Sequence, residues 1–207
     1  MEYSINIQKE NFTPLHTSVD NVELDGVAVL RVRKSEKINN YDENTYAKVN
    51  GLSFHNGVIT VKMLSRLLPD APGFARGFIG IVYRANENDS EFESFYLRPT
   101  NGRTCTDPVR KCHGCQYFSY PGYSFDYFRE FGITKYEAPV NVDLDEWITL
   151  KAVVEDKHAE FYLNGSEEPV LVVTDMKHGM GEKGSVGIFV DIGTEALISE
   201  LTVICTD

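Results

Sequence analysis

Short runs of β-branched and aromatic residues, bounded by turn-forming residues, recur along most of the chain. Val27–Val32 follows the pair Asp25-Gly26, and Val58–Leu64 follows Asn56-Gly57. No window shows a sustained apolar stripe at helical spacing. This pattern predicts an all-β fold, a two-sheet antiparallel jelly-roll sandwich. The other predicted strands are Gly77–Tyr83, Phe92–Leu97, Trp147–Val154, Ala159–Leu163, Val170–Val173, Val186–Val190 and Ala196–Val203.

Alternation within two of these strands separates an apolar face from a polar one. Successive side chains of a strand point to opposite faces. In the run from Arg76 to Arg84, these two arginines therefore lie on one face of the strand. In the run from Phe92 to Arg98, Tyr96 and Arg98 lie on one face. A sheet that meets solvent on one side shows this arrangement.

Length and charge limit the classes of protein that the chain can represent. A chain of 207 residues fits one sandwich domain spanning 1–207. The net charge of −11 makes nucleic acid an unfavourable partner, and no apolar stretch approaches the roughly 20 residues that span a membrane. The first residues lack the pattern of a signal peptide, so we expect a cytoplasmic protein, or a secreted one if a leader was removed. The oligomeric state is not predicted.

The segment 99–135 differs from the rest because it contains few strand-like runs. It combines arginines with a dense group of aromatic residues. Long connections in compact domains are usually functional or disordered, and aromatic composition argues against disorder. We therefore predict an ordered insertion that folds over one rim of the sandwich.

Four sequence runs carry a resemblance to a known superfamily. They are ARGFIGIVYR (Ala75–Arg84), ESFYLRPTNGR (Glu93–Arg103), QYFSYPGY (Gln116–Tyr123) and KYEAPV (Lys135–Val140). They resemble the concanavalin A-like lectin/glucanase superfamily, most nearly its bacterial 3-keto-disaccharide hydrolase-like domains, which are candidate glycosyl hydrolases. The resemblance extends over roughly residues 54–203 and implies a jelly roll whose concave sheet binds glycans.

Guanidinium groups and aromatic rings suit a sugar, which presents hydroxyl groups at its rim and C–H groups on its faces. The main hypothesis is a carbohydrate-binding domain that recognises an oligosaccharide or glycan. The alternatives are a glycoside hydrolase-type enzyme acting on a di- or oligosaccharide in the same groove, and a structural or protein-interaction module. In a further alternative, the arginines pair with Glu93 and Glu137 to hold the insertion on the sheet. The predicted ligand-binding residues are Arg76, Arg84, Tyr96, Arg98, Arg110, Gln116 and Tyr117.

Carboxylates for acid–base catalysis are less well defined. Glu87, Asp89 and Glu91 have the E-x-D-x-E spacing of retaining glucanases, but Asn88 and Ser90 between them are typical of a hairpin turn, so this motif is rejected. The remaining candidates for catalysis are Glu93, Glu137 and Asp175.

The cysteines raise the question of a metal. Cys105, Cys112, His113 and Cys115 contain the ligand types of a zinc site, but a second pair at matching spacing is missing. Free thiols are the favoured interpretation, and no cofactor is predicted. A zinc ion at this cluster and a structural calcium ion near Asp191 are the alternatives.

Overall fold

The computed structural model describes residues 1–35, 40–178 and 183–206. Within these ranges the chain forms fifteen strands and two short α-helices. The strands are β1 (Glu2–Ser4), β2 (Phe12–Leu15), β3 (Thr17–Leu24), β4 (Val27–Lys34), β5 (Tyr46–Val49), β6 (Gly57–Leu67), β7 (Ile79–Ala85), β8 (Phe92–Leu97), β9 (Cys115–Tyr120), β10 (Glu137–Ala138), β11 (Trp147–Glu155), β12 (His158–Leu163), β13 (Leu171–Val173), β14 (Ser185–Val190) and β15 (Thr194–Cys205). The helices are α1 (Pro108–Lys111) and α2 (Phe125–Glu130).

The strands pair into two antiparallel sheets. The eight-stranded sheet has the order β13-β12-β11-β6-β15-β4-β3, with β1 also paired to β15. The seven-stranded sheet has the order β10-β9-β8-β7-β14-β5-β2. The all-β two-sheet sandwich predicted from the sequence is therefore confirmed.

The two sheets pack face to face through large apolar side chains. Phe95 of β8 stacks on Phe161 of β12, with ring centroids 4.1 Å apart and planes 8° from parallel. Both rings belong to one buried cluster that draws residues from both sheets. The face of β8 that holds Phe95 is thus the inner face. Tyr96, the next residue, lies on the outer face of the seven-stranded sheet.

Two of the predicted turns have the backbone that their residues favour. Asp25 and Gly26 both have positive φ, 52° and 79°, between the paired strands β3 and β4. Asn164 and Gly165, at 53° and 73°, follow β12, which pairs with β13. Asn, Asp and Gly tolerate this left-handed region better than other residues, which explains their use in hairpins.

The segment 99–135 contains a strand of the sheet as well as connections. Strand β9 pairs with β8 on one side and with β10 on the other. One arm, which contains α1, precedes β9, and a second arm, which contains α2, follows it. Among the described residues, no helix is long and apolar enough to cross a membrane.

Candidate functional site

A cavity of about 380 Å³ lies where the end of β8 meets the two arms around β9. Six chain segments contribute to its wall: residues 41–42, 74–78, 96–101, 109–113, 125–129 and 191–192. Small-molecule sites usually measure about 300–1,000 Å³. The cavity is therefore large enough for a small ligand.

The apolar part of the wall is unusually exposed at two positions. Phe74 is 57 % exposed and Val109 is 67 % exposed, although both are large hydrophobic residues. Phe78 and Tyr96 lie deeper and meet edge to face, with centroids 5.9 Å apart. The cavity thus has an aromatic interior and an apolar rim that water still reaches.

Arg98 forms the centre of a buried polar network behind this wall. Its Nη1 donates to Glu137 Oε1 at 2.8 Å, and its Nη2 donates to the Tyr96 hydroxyl at 2.9 Å and to Gln116 Oε1. Arg129 approaches the same Glu137 oxygen to 3.5 Å. The Arg98 and Glu137 side chains are 5 % and 4 % exposed. Arg98 therefore holds β8, β9 and β10 together as well as lining the cavity.

Two buried aspartates form the part of the wall next to Tyr96. Asp42 Oδ2 accepts the Phe125 N–H at 2.5 Å, and the Asp42 N–H donates to Asp191 Oδ2 at 2.9 Å. Asp191 Oδ1 accepts from Lys34 Nζ at 2.6 Å. Burial, reinforced by the charge of Asp191, raises the pKa of Asp42 to about 7. The sequence left a structural calcium ion near Asp191 as an alternative. In the structure, the Lys34 ammonium group supplies the positive charge beside this carboxylate.

Several of the predicted ligand-binding residues do meet at this cavity. Arg76, Tyr96, Arg98 and Arg110 line it. Gln116 lies behind Arg98, fully buried, and accepts hydrogen bonds from Arg98 and from the Tyr96 hydroxyl. The role of all five in binding stays a prediction.

Arg84 lies elsewhere. Its Nε, Nη1 and Nη2 donate to His55 O, Asp156 O and Asn56 Oδ1 at 2.7–2.8 Å. The pairing of β7 with β14 shifts by one residue beside it, and Arg84 has a positive φ of 53°. Such a bulge ends regular alternation. The expectation that Arg84 shares a face with Arg76 fails for this reason.

Tyr117 also points away from the cavity. It pairs with Phe95 on the inner face, and its hydroxyl donates to Glu93 Oε2 at 2.6 Å. Its neighbour Gln116 pairs with Tyr96 on the outer face. Because residues 115–120 form a strand, Gln116 and Tyr117 point to opposite faces of the sheet, so the prediction that both contact one ligand fails for Tyr117.

The predicted catalytic carboxylates are outside the lining of the cavity in the described part of the chain. Burial raises the pKa of Glu93, which lies in the core. Glu137 lies behind Arg98. Burial raises the pKa of Asp175, but hydrogen bonds from Tyr136 and two lysines bring it down to about 2. A carboxyl group with so low a pKa is a poor general acid.

The E-x-D-x-E segment lies in the connection between β7 and β8. Asp89 has a positive φ of 56°, and its carboxylate pairs with Lys48 Nζ at 2.6 Å. Asp89 Oδ1 also accepts from the Tyr46 hydroxyl at 2.5 Å. The middle carboxylate of the motif therefore holds a hairpin turn against β5.

The cysteines and His113 do not assemble a metal site. Cys115 is buried in the core, and burial raises its pKa to about 12. Cys105 is half-buried, Cys112 is exposed, and His113 Nδ1 lies 2.9 Å from Glu137 Oε2. Across residues 1–35, 40–178 and 183–206, no three His, Cys, Asp or Glu side chains are grouped to hold a metal ion.

Several wall residues were not predicted to bind a ligand, and Phe74, Asp42 and Asp191 are the most informative of them. Phe74 stands in the run PDAPGFARG, where an aromatic residue among turn-forming ones is itself a signal of an exposed loop. Asp42 and Asp191 are 149 positions apart and meet only through the fold. No local pattern points to their pairing.

Comparisons with solved structures define the architecture. The chain is similar to the carbohydrate binding module CBM66 from Bacillus subtilis, with a TM-score of 0.63, 11 % identity, and 96 % of this chain and 98 % of that chain covered. It is also similar to a candidate glycosyl hydrolase from Parabacteroides distasonis, with a TM-score of 0.53, 12 % identity, and 97 % and 90 % covered. A third similar structure is peanut lectin, with a TM-score of 0.52, 10 % identity, and 99 % of this chain and 97 % of that chain covered. The fold is concanavalin A-like.

The concanavalin A-like jelly roll that the sequence runs implied is thereby confirmed. Identities of 10–12 % show the fold alone. No protein-family model matches the chain, and no curated protein sequence does.

Proposed function

We propose that the protein binds a carbohydrate, without cleaving it, in the cavity beside the outer face of the seven-stranded sheet. The observation that carries the proposal is the exposed ring of Phe74 in the same 380 Å³ cavity as four arginines. Sugar rings offer C–H groups to an aromatic face and hydroxyl oxygens to guanidinium donors. The similar carbohydrate binding module and lectin support this class of ligand.

The geometry favours recognition of one or two sugar units over a long chain. The aromatic and guanidinium groups converge in a cavity with several walls. The side chains of Tyr96 and Arg98 are fixed by buried hydrogen bonds. Both side chains are nearly buried, so they hold the wall in place from behind. A ligand then meets a prearranged wall whose exposed part includes Phe74, which lowers the ordering cost of binding.

A glycan array followed by calorimetry on the best ligand tests the proposal. Phe74→Ala should weaken binding roughly fivefold, because an aromatic contact contributes about 1 kcal/mol. Phe131→Ala is the matched control, since Phe131 is also exposed, at 61 %, but lies outside the cavity lining. If no glycan on the array binds, the result would favour a structural or protein-interaction module. Equal weakening by both variants would remove Phe74 from the site.

Asp42 supports a second candidate function, glycoside hydrolysis. A carboxyl group with a pKa of about 7 in a cavity wall has the property of a general acid. Binding remains the first choice because Asp42 and Asp191 are only 4 % and 1 % exposed, which leaves little carboxyl surface for a substrate. Incubation with the bound glycan decides between them. New reducing ends that disappear in Asp42→Asn would establish hydrolysis.

A further inference from the structure

The charges around the cavity are unlike those of the whole protein. The chain has a net charge of −11, yet four arginines, Arg76, Arg98, Arg110 and Arg129, line one cavity with two aspartates. Arg98 and Arg129 share Glu137. Within the described chain, neither Arg76 nor Arg110 forms an ion pair with a carboxylate. Among the described residues, Asp191 pairs with Lys34 and Asp42 bonds to the Phe125 N–H, so no carboxylate pairs directly with Arg76 or Arg110.

Neutral acceptors hold these two arginines in position. Arg76 Nη1 donates to the carbonyl oxygens of Gly73 and Ala75 at 2.9 and 2.8 Å. Arg110 donates from both Nε and Nη2 to Asn101 Oδ1 at 3.1 Å. Among the described residues, Arg76 Nε and Nη2 and Arg110 Nη1 have no acceptor. The guanidinium groups are therefore oriented while part of their donor set stays available.

The two cations also repel each other. The pKa of Arg76 is lowered by burial and then by the positive charges of Arg110 and Arg98. Like charges placed together raise the free energy of the empty site, and an anion between them relieves it. Guanidinium groups bind oxyanions with two parallel hydrogen bonds. The arrangement is that of an anion site beside the aromatic wall.

We infer that the carbohydrate of this cavity is an acidic sugar, whose singly charged oxyanion binds between Arg76 and Arg110 while its ring contacts Phe74. This inference rests on the proposed function. A uronic acid carboxylate fits better than a phosphate, because a phosphate carries about −1.5 to −2 charges and Asp42 and Asp191 lie on the same cavity. Arg76 and Arg110 then determine specificity.

Calorimetric titration of the complete chain with glucuronate, galacturonate, glucose, galactose, glucose 6-phosphate and acetate tests the inference without any variant. The uronates should bind at least about tenfold more tightly than their neutral parents, because hydrogen bonds to charged groups are the stronger ones. The uronates should also bind more tightly than glucose 6-phosphate and acetate. This preference should weaken as salt is raised.

Single-residue variants test whether Arg76 and Arg110 cause the preference for acidic over neutral sugars. Arg76→Gln and Arg110→Gln should each remove most of the acid-over-neutral preference while binding to the neutral parent persists. Arg103→Gln is the matched control, because Arg103 is half-exposed and pairs with Glu146 outside the cavity. Thermal melts of each variant verify that it folds. If Arg76→Gln does not fold, Arg110→Gln by itself tests the inference.

The outcomes separate the two proposals. Equal binding of uronates and neutral sugars would overturn the acidic-sugar inference and leave carbohydrate binding intact. Tighter binding of glucose 6-phosphate than of the uronates would overturn the choice of a singly charged group. Acetate binding as tight as uronate binding would show an anion site without sugar recognition. If no sugar or glycan binds, both proposals fail.

Discussion

At the scale of single residues, Arg98 is both part of the cavity wall and part of the structure. Its guanidinium group is nearly buried and pairs with the equally buried Glu137. Removing one partner of such a pair leaves the other charge desolvated, which costs about 3–5 kcal/mol. Arg129 and His113 still approach Glu137, so we expect Arg98→Ala to lower the free energy of unfolding by about 3 kcal/mol in urea denaturation.

An exposed arginine provides the comparison. Arg103 is 50 % exposed and pairs with Asp143 and Glu146. Water screens such exposed pairs, so Arg103→Ala should change stability little. Similar losses in the two variants would contradict a structural role specific to Arg98.

Asp42 makes a pH-dependent contribution to stability. Its pKa is about 7 in the folded protein, above the value of about 4 in an unfolded chain. Between these values the folded state binds the proton more tightly, so this group's stabilisation is complete below pH 4 and is lost as pH rises through 7. Asp42→Asn keeps an acceptor for the Phe125 N–H and carries no charge. The stability of the variant relative to the original should therefore rise from pH 4 to pH 8.

Urea denaturation of both proteins at intervals of one pH unit measures this difference. Three pKa units correspond to about 4 kcal/mol at most. Asp126→Asn is a suitable control, because Asp126 lies on the surface and accepts from the Tyr41 hydroxyl. A difference between Asp42→Asn and the original that stays constant with pH would show that Asp42 is not protonated near neutrality.

At the scale of secondary-structure elements, β7 and β8 approach so closely that one position requires glycine. A Cβ atom added at Gly80 would lie 2.0 Å from Phe95 O and 2.6 Å from Tyr96 Cα. These are backbone atoms of the paired strand, so neither can move without breaking the sheet. We expect Gly80→Ala to prevent folding or to lower the melting temperature by more than about 10 °C.

Gly73 is the matched control for this prediction. A Cβ atom added there meets nothing within 4 Å, so Gly73→Ala should melt close to the original protein. Both variants are compared by circular dichroism during heating. A normal melting temperature for Gly80→Ala would mean that β7 and β8 lie farther apart than described.

At the scale of the whole molecule, the two sheets depend on one shared core. Residues of both sheets belong to the same buried cluster, and Phe95 stacks on Phe161 across the interface. The chain contains a single tryptophan, Trp147, in the eight-stranded sheet. We therefore expect tryptophan fluorescence and far-ultraviolet circular dichroism to report the same single transition in urea.

Phe161→Ala should lower the free energy of unfolding by about 3–5 kcal/mol, because it opens a cavity in the shared core. The transitions seen by fluorescence and by circular dichroism should move together to lower urea concentration. Phe131→Ala, at an exposed position, should shift neither appreciably. Two separated transitions would show that the sheets unfold independently.

The sequence by itself determined the fold class and most of the strands. Alternation and turn residues are local properties, and they located β4, β6 and β8 among others. Short strands with little alternation, such as β5 and β9, were missed because an isolated run of four to six residues carries too few positions to establish a period. Alternation along β8 assigned Tyr96 and Arg98 to its outer face, and both line the cavity. Arg76 and Arg110 line it too, but Arg76 precedes β7 and Arg110 lies in α1, so alternation within a strand does not account for them.

Tertiary structure alone decided which of these groups meet. A bulge in β7 sends Arg84 away from the face that alternation assigned to it, and the strand formed by 115–120 turns Tyr117 into the core. Asp42 and Asp191 become neighbours across 149 residues of chain. The physical reason is that register and bulges are set by hydrogen bonds between strands that are distant in sequence, and a shift of one residue moves a side chain to the opposite face.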